Sequence, residues 1–150
     1  MYDSLTYEPL RNMGYMLTRL RAEMLAATDG ELAADQRLAH LKMNTTQSAI
    51  IALLALGRAT SASDLCKAMS YDTGAMARMI GRLESKGLIR RDRCHHDRRR
   101  VTLELTEEGK AMFPKMHEIS MKVTNRFLRI LTDAEARQLE MFLGRALESV

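Results

Sequence analysis

Arginine is the residue type that gives this sequence its most distinctive chemistry. Between Arg78 and Arg100 there are nine Arg or Lys side chains against three acidic ones, while the whole chain carries a net charge of only +4, so the remainder is slightly acidic. Six of those cations are arginines confined to the stretch from Arg90 to Arg100. A run of charge is usually a solvated face. Here the charges are almost all guanidinium, whose planar fork suits phosphates and guanine edges. A surface built for the backbone of a nucleic acid is the stronger reading.

Other reactive groups carry less. Cys94, His95, His96 and Asp97 are four potential metal ligands in a row, but adjacent residues of a hairpin point in opposite directions and lack the usual ligand separation. A polar tip with two optional positive charges is the simpler account. Cys94 stands beside Arg93, a setting that lowers a thiol pKa and favours oxidation, so a metal- or redox-responsive role for Cys94, His95 and His96 is kept as an alternative. Cys66 falls where a small residue packs against a core. His40 and His117 have no partner at ligand spacing. The sequence contains no G-x-S-x-G or H-E-x-x-H motif and no glycine-rich phosphate loop. It therefore reads as a non-enzyme with no catalytic residue, no cofactor and no metal.

The arginines need elements to hold them. Asp72 is a good N-cap, Met76, Met79, Ile80 and Leu83 repeat at the spacing of one buried stripe, and Gly87 is a helix stop. The opposite face of this helix presents Thr73, Ala75, Arg78 and Arg82. Leu88 and Ile89 begin an extended segment, and Val101, Leu103 and Leu105 alternate with Thr102 and Glu104 as in a half-buried strand. The two strands make a hairpin whose polar connection is the arginine-rich run. Ser61 and Asp64 open a shorter helix with Leu65, Ala68 and Met69 inside, and Ser70 and Tyr71 turn it into the helix that starts at Asp72. This is a helix-turn-helix. Its second helix enters the major groove by a small or polar N-terminal end, which Thr73, Gly74 and Ala75 supply.

Around this lobe the chain is amphipathic helix. Pro9 suits a first helical turn, and Leu10, Met13, Leu17, Leu20, Met24 and Ala27 form a heptad-like seam that ends at Asp29-Gly30. A shorter helix is expected from Leu32 to Lys42, then a capping box at Asn44 and Gln47 opens an apolar helix that ends at Gly57. Thr106 caps a long helix with Met112, Met116, Ile119, Val123, Phe127 and Ile130 on one face and a kink at Pro114. Thr132 and Glu135 box the last helix, whose apolar face is Leu139, Phe142, Leu143, Ala146 and Leu147. These faces exceed what one small lobe can cover, so Leu10, Met13, Leu17, Leu20, Phe127, Leu139, Phe142, Leu143 and Leu147 are expected in a dimer interface. A chain of 150 residues, 46% hydrophobic, can bury one domain-sized core, and its twelve methionines make that core adaptable. No run reaches the roughly 18 apolar residues of a membrane span, no signal pattern opens the chain, and two cysteines make no disulfide framework. A cytoplasmic location without membrane contact follows as an expectation.

The pattern D-x-G-x-M-x-R-x-x-x-R-L-E-x-K-G-L-I-x-R from Asp72, followed by Asp97, Arg98, Arg99 and then Leu105, Thr106, Gly109, resembles the MarR family of bacterial winged-helix regulators. The resemblance spans about Leu10 to Leu147. Two positions depart from it: Ala77 stands where a Ser or Thr is common, removing one candidate hydrogen bond to DNA, and Asn44 replaces a Thr with an equally good cap. The resemblance implies a mostly α (α+β) single domain over residues 1–150, with dimerisation helices at 9–30 and 107–150 and a winged helix-turn-helix lobe at 44–105. It implies a homodimeric repressor that binds a pseudo-palindromic double-stranded operator and is released by a small amphipathic or aromatic effector. Arg99 would enter the minor groove, where narrow A·T-rich geometry concentrates negative potential. Asp97 would hold the wing in shape. Arg78 would reach phosphate or a base edge, with Thr73, Ala75 and Met76 nearest the bases. Ser61, Arg82, Arg91, Arg98 and Arg100 complete the expected DNA surface. Met13, Met16, Met43, Met112 and Met116 are the expected repackable surface for an effector. A winged-helix protein-interaction module is the remaining alternative.

Overall fold

Side-chain caps fix where most of the elements begin. In the computed structural model, which describes residues 7–93 and 101–148, the order is α1 (Met13–Ala34), a short 3₁₀ turn (Ala39–Leu41), α2 (Thr45–Ala55), α3 (Ala62–Met69), α4 (Thr73–Ser85), β1 (Ile89–Arg93), β2 (Val101–Leu105), α5 (Glu107–Leu128) and α6 (Asp133–Leu147). The expected mostly helical architecture with one antiparallel hairpin is what forms.

The start of α1 corrects the expectation at Pro9. Asn12 is the cap: its side-chain oxygen accepts from the Tyr15 amide at 3.0 Å, and its side-chain nitrogen donates back to the carbonyls of Glu8 and Pro9. Pro9 and Leu10 therefore lie in a turn ahead of the helix, and Leu10 is not part of the helical seam. The second correction is at Asp29-Gly30, which does not end the helix. The Asp29 carboxylate accepts from both the amide and the hydroxyl of Thr45 at 2.6 Å, so it is engaged across helices rather than in a local turn. The helix stops instead at Asp35, whose carboxylate accepts from the Arg37 amide at 2.8 Å. What was expected as a helix from Leu32 to Lys42 is thus the end of α1, a turn and the 3₁₀ segment.

Two capping boxes form as their sequences suggest, Asn44 with Gln47 and Thr132 with Glu135. The core lies where α2, α3, α4, the hairpin and α5 converge. Ile50, Ile51, Leu65, Ile80, Leu83 and Leu88 are at most 2% exposed, each contributing about 1.5–3 kcal/mol by burial. Gly109 is placed for a packing reason: a β-carbon there would come within 2.1 Å of the Leu88 carbonyl oxygen. That carbonyl also accepts from the Thr106 amide at 3.1 Å, which seats α5 on the end of the hairpin.

Helix α5 runs without interruption through Pro114 and buries Met112, Met116, Ile119 and Val123. Ile130, expected on the same face, lies beyond its end and is 83% exposed. Charged pairs join α5 to the end of α1: Lys122 with Glu31 at 2.8 Å, Arg126 with Glu31 at 3.7 Å, and Arg37, itself paired with Asp35, with Glu118 at 3.0 Å. The Lys122 hydrogen bond is the main cause holding the Glu31 carboxyl below its usual range. Helix α6 buries none of its residues. Among the described residues no helix is long and apolar enough to cross a membrane.

Candidate nucleic-acid interface

The surface that could meet a nucleic acid is assembled by a chain of local hydrogen bonds. The Ser61 hydroxyl accepts from the Asp64 amide at 3.2 Å and starts α3. The Asp64 carboxylate in turn accepts from the Thr60 amide at 3.0 Å and the Thr60 hydroxyl at 3.1 Å, and these bonds, the backbone one foremost, hold its pKa below the usual range. Ser70 closes α3 in the left-handed region at φ 53°, with the Tyr71 amide donating to the Cys66 carbonyl. Two residues later the Asp72 carboxylate accepts from the Ala75 amide at 2.9 Å and α4 begins.

The apolar spacing of α4 then decides which face is which. Met76, Ile80 and Leu83 are buried, while Thr73, Gly74, Ala77, Arg78, Gly81 and Arg82 are exposed and Ala75 is half-buried. Met76 is 0% exposed and belongs to the core. The expectation that it stands nearest the bases is corrected: it shares the inward stripe with Ile80 four residues on and cannot also face outward. The Arg78 guanidinium reaches back over the helix start, where a β-carbon on Gly74 would lie 3.6 Å from its Nη1. No carboxylate pairs with Arg78 or Arg82 among the described residues, and both side chains are exposed.

The hairpin pairs Ile89 with Leu105, Arg91 with Leu103 and Arg93 with Val101, and it is tied to the lobe by the Leu103 amide donating to the Thr60 carbonyl at 2.8 Å. Its arginines are not equivalent. Arg90 faces Glu104 across the strands and donates to its carboxylate at 2.8 Å, which raises the guanidinium pKa. Arg91 pairs with Glu84 on α4 at 3.1 Å. Counting charge along the sequence therefore overstates the cations on offer, since cross-strand and strand-to-helix partners are invisible in a linear count. Asp97, Arg98, Arg99 and Arg100, together with Cys94, His95 and His96, lie outside the described residues. Among the described residues no group of His, Cys, Asp or Glu is placed to hold a metal ion.

The residues expected at a dimer interface fall on the two terminal regions. Met13, Leu17 and Leu20 of α1 are exposed, as are Phe142 and Leu147 of α6, and Phe127, Leu139 and Leu143 are half-buried. One residue that sequence reasoning left out is Lys86, whose half-buried ammonium makes three contacts with the segment around α2. No local spacing signals it, because its partners are some forty residues earlier in the chain.

Comparison with known proteins places this arrangement. The family model described as the MarR family matches residues 43–101. A Thauera aromatica protein named as a transcriptional regulator of the hcr operon is 30% identical over 122 residues, which are 77% of this chain and 73% of that protein. A MarR variant from E. coli, solved in complex with operator DNA, superposes with a TM-score of 0.78 at 23% identity over 94% of this chain and 99% of that one. Bordetella bronchiseptica BpsR, solved in a study of how 6-hydroxynicotinic acid regulates its DNA binding, superposes with a TM-score of 0.78 at 24% identity over 96% of this chain and 98% of that one. With its capped helix-turn-helix, its two-stranded wing and these relatives, the chain belongs to the MarR family of transcriptional regulators.

Proposed function

We propose that this protein is a homodimeric repressor that binds a pseudo-palindromic double-stranded operator through α4 and the wing and leaves it when a small aromatic effector binds. The observation that carries the reading is the division of α4. One face is fixed in the core, and the other offers Thr73 and Ala75 at the helix start with the exposed cations Arg78 and Arg82 beside them, neither paired with a carboxylate among the described residues. A helix N-terminus with its side chains near base edges and cations toward phosphates is the arrangement that reads a major groove. By the family resemblance Arg98, Arg99 and Arg100 would add DNA contacts, Arg99 in the minor groove with Asp97 supporting it, whereas Arg91 would have to exchange Glu84 for phosphate to join them. Ser61 would meet the backbone from the start of α3. The E. coli relative solved with operator DNA supports this reading.

The exposed apolar faces of α1 and α6 support the homodimer, with residues 9–30 and 107–150 as its helices and 44–105 as the DNA-reading lobe. A two-fold pair of such lobes reads half-sites about 10 base pairs apart. For the effector, a cavity of about 250 Å³ between α2 and α5 is the best candidate, with Ser48, Ala52, Phe113, Met116 and His117 in its wall. The Ser48 hydroxyl is buried there without a partner among the described residues, a group that a ligand acceptor or donor would satisfy. Met116 alone of the five expected methionines lines this cavity. Met43 and Met112 are in the core, and Met13 and Met16 are exposed on α1.

Selection from a random duplex pool, followed by titration at physiological salt, tests the whole reading. The selected duplex should bind about 10³–10⁷-fold more tightly than random DNA. Millimolar 6-hydroxynicotinic acid, or another single-ring aromatic acid, should weaken that binding by about 5- to 150-fold. Failure to enrich any sequence would favour a protein-interaction module. A particle of monomer mass by light scattering at micromolar concentration would remove the homodimer.

A further inference from the structure

Lys86 ends the recognition helix, yet its ammonium points away from the proposed DNA surface. Its Nζ donates to the Lys42 carbonyl at 2.9 Å and to Gln47 Oε1 at 3.0 Å, and lies 3.8 Å from the Met43 sulfur. No carboxylate pairs with it among the described residues, and partial burial, with the charge of Arg82 one turn away, lowers its pKa. Holding a cation on neutral acceptors costs desolvation that a solvated lysine avoids. The geometry it enforces is the return.

The acceptors lead back to α1. Lys42 has a left-handed backbone at φ 46° in the connection between α1 and α2. Gln47 is only 2% exposed and also receives the Asn44 amide in the box that starts α2. On the same first turn, Thr45 holds the Asp29 carboxylate of α1 by both its amide and its hydroxyl. A polar path therefore runs from α1 through the first turn of α2 to the end of α4. Met76, Met79, Ile80 and Leu83 hold α4 on the core by apolar contact, which is non-directional and resists separation better than rolling or sliding, and the Arg91–Glu84 pair ties it to β1 but not to α1 or α2. Directed hydrogen bonds to a charged group fix those two motions.

We infer that Lys86 is a positioning residue that locks the pose of α4 relative to α1, and so sets the half-site separation the dimer accepts. This rests on the proposed operator-binding homodimer. Because the ammonium protons are committed to the connection and to Gln47, the residue acts through the placement of α4 and not as a phosphate contact.

The test uses the full-length protein and its selected operator, with companion duplexes whose half-sites are moved one base pair closer or further apart. Wild type should discriminate among the spacings. In Lys86→Met and in Gln47→Leu the ratio of affinities between best and shifted spacing should shrink about tenfold, the scale of one hydrogen bond to a charged group. The slope of log affinity against log salt should not change, and the double variant should lose no more than either single one. A slope that falls by about one with spacing discrimination intact would make Lys86 a phosphate contact and overturn the inference. Unchanged discrimination in a folded Lys86→Met would overturn it equally, and if that variant melts, unchanged discrimination in Gln47→Leu does so. Wild type that binds no selected duplex would bring down the operator-binding reading first, whereas wild type that binds all spacings alike would remove the positioning role alone.

Discussion

Leu83 of α4 and Phe142 of α6 occupy the same kind of position, the apolar face of an amphipathic helix, and they meet opposite environments: Leu83 is 0% exposed and Phe142 is 50% exposed. Around Leu83 the chain supplies its own partners, with α3 and β1 packed against α4 and the rest of the buried core behind them. Around Phe142 it supplies few, and α6 as a whole buries nothing. The two regions also differ in what joins their parts. The lobe is held by continuous apolar packing, whereas at the end of α1 the buried Leu32 shares the junction with α5 with charged pairs at the surface. Where the apolar face of a helix is satisfied within the chain, the opposite, charged face is the one available for recognition. Where it is not satisfied, the apolar face is left exposed, and it is the surface the proposed homodimer would cover.

That comparison can be broken most forcefully by deleting one side chain from each region. Leu83→Ala should destabilise the protein by about 2–5 kcal/mol through lost burial and the cavity left behind, and the loss should not depend on protein concentration. Phe142→Asp should lower the melting temperature in a concentration-dependent way, because it acts on an assembly equilibrium. Thermal melts over a hundredfold range of concentration separate the two behaviours. If the melting temperature of wild type and of both variants were independent of concentration, the exposed face of α6 would not be an association surface.

How far the sequence revealed this division depends on the range of the bonds involved. Helix starts at Asn44, Ser61, Asp72, Thr106 and Thr132 were legible because each cap bonds within three residues of itself. The Asp29-Gly30 pair looks like a helix break in sequence but is not one, because Asp29 serves Thr45, sixteen residues away, and a linear pattern cannot show that. The face of α4 is legible in its spacing, which puts Met76 on the inward stripe where it is buried; only the family resemblance puts it near the bases. In the candidate site, Arg78 and Arg82 could be chosen from sequence. The neutralising partners of Arg90 and Arg91, and the anchoring of Lys86, could not, since all three are settled by tertiary contacts.

A smaller effect should follow on the charged face. Arg78→Ala should weaken operator binding by about 1–3 kcal/mol while leaving the melting temperature within the range of other surface changes. If Arg78 meets phosphate, the loss should be uniform across DNA sequences and the salt slope should fall by about one. If it meets a base edge, specificity at one position should relax with the slope unchanged. Equal affinity of variant and wild type for the operator at physiological salt would take Arg78 out of the interface, and would leave the wing as the main reader.

The smallest expected effect concerns the charged junction beside α1. The Arg37 side-chain hydrogen bonds, aided by its backbone amide and its charge, hold the Asp35 carboxyl at about 2 against an ordinary 3.8. A carboxyl whose folded pKa is depressed favours the folded state while ionised. That contribution is complete above the unfolded value and is lost as pH falls from about 4 toward 2. Both partners are partly solvent-accessible, so salt screens the pair and its weight is modest. In Asp35→Asn, the titration disappears along with the salt bridge, and the fall in denaturant midpoint between about pH 4 and pH 2 should be shallower than in wild type. Leu83→Ala, by contrast, should shift the midpoint at every pH without altering that slope, because no charge is involved. Parallel curves for wild type and Asp35→Asn through this window would show that the ion pair adds nothing to folding, and would leave apolar packing as what holds both regions.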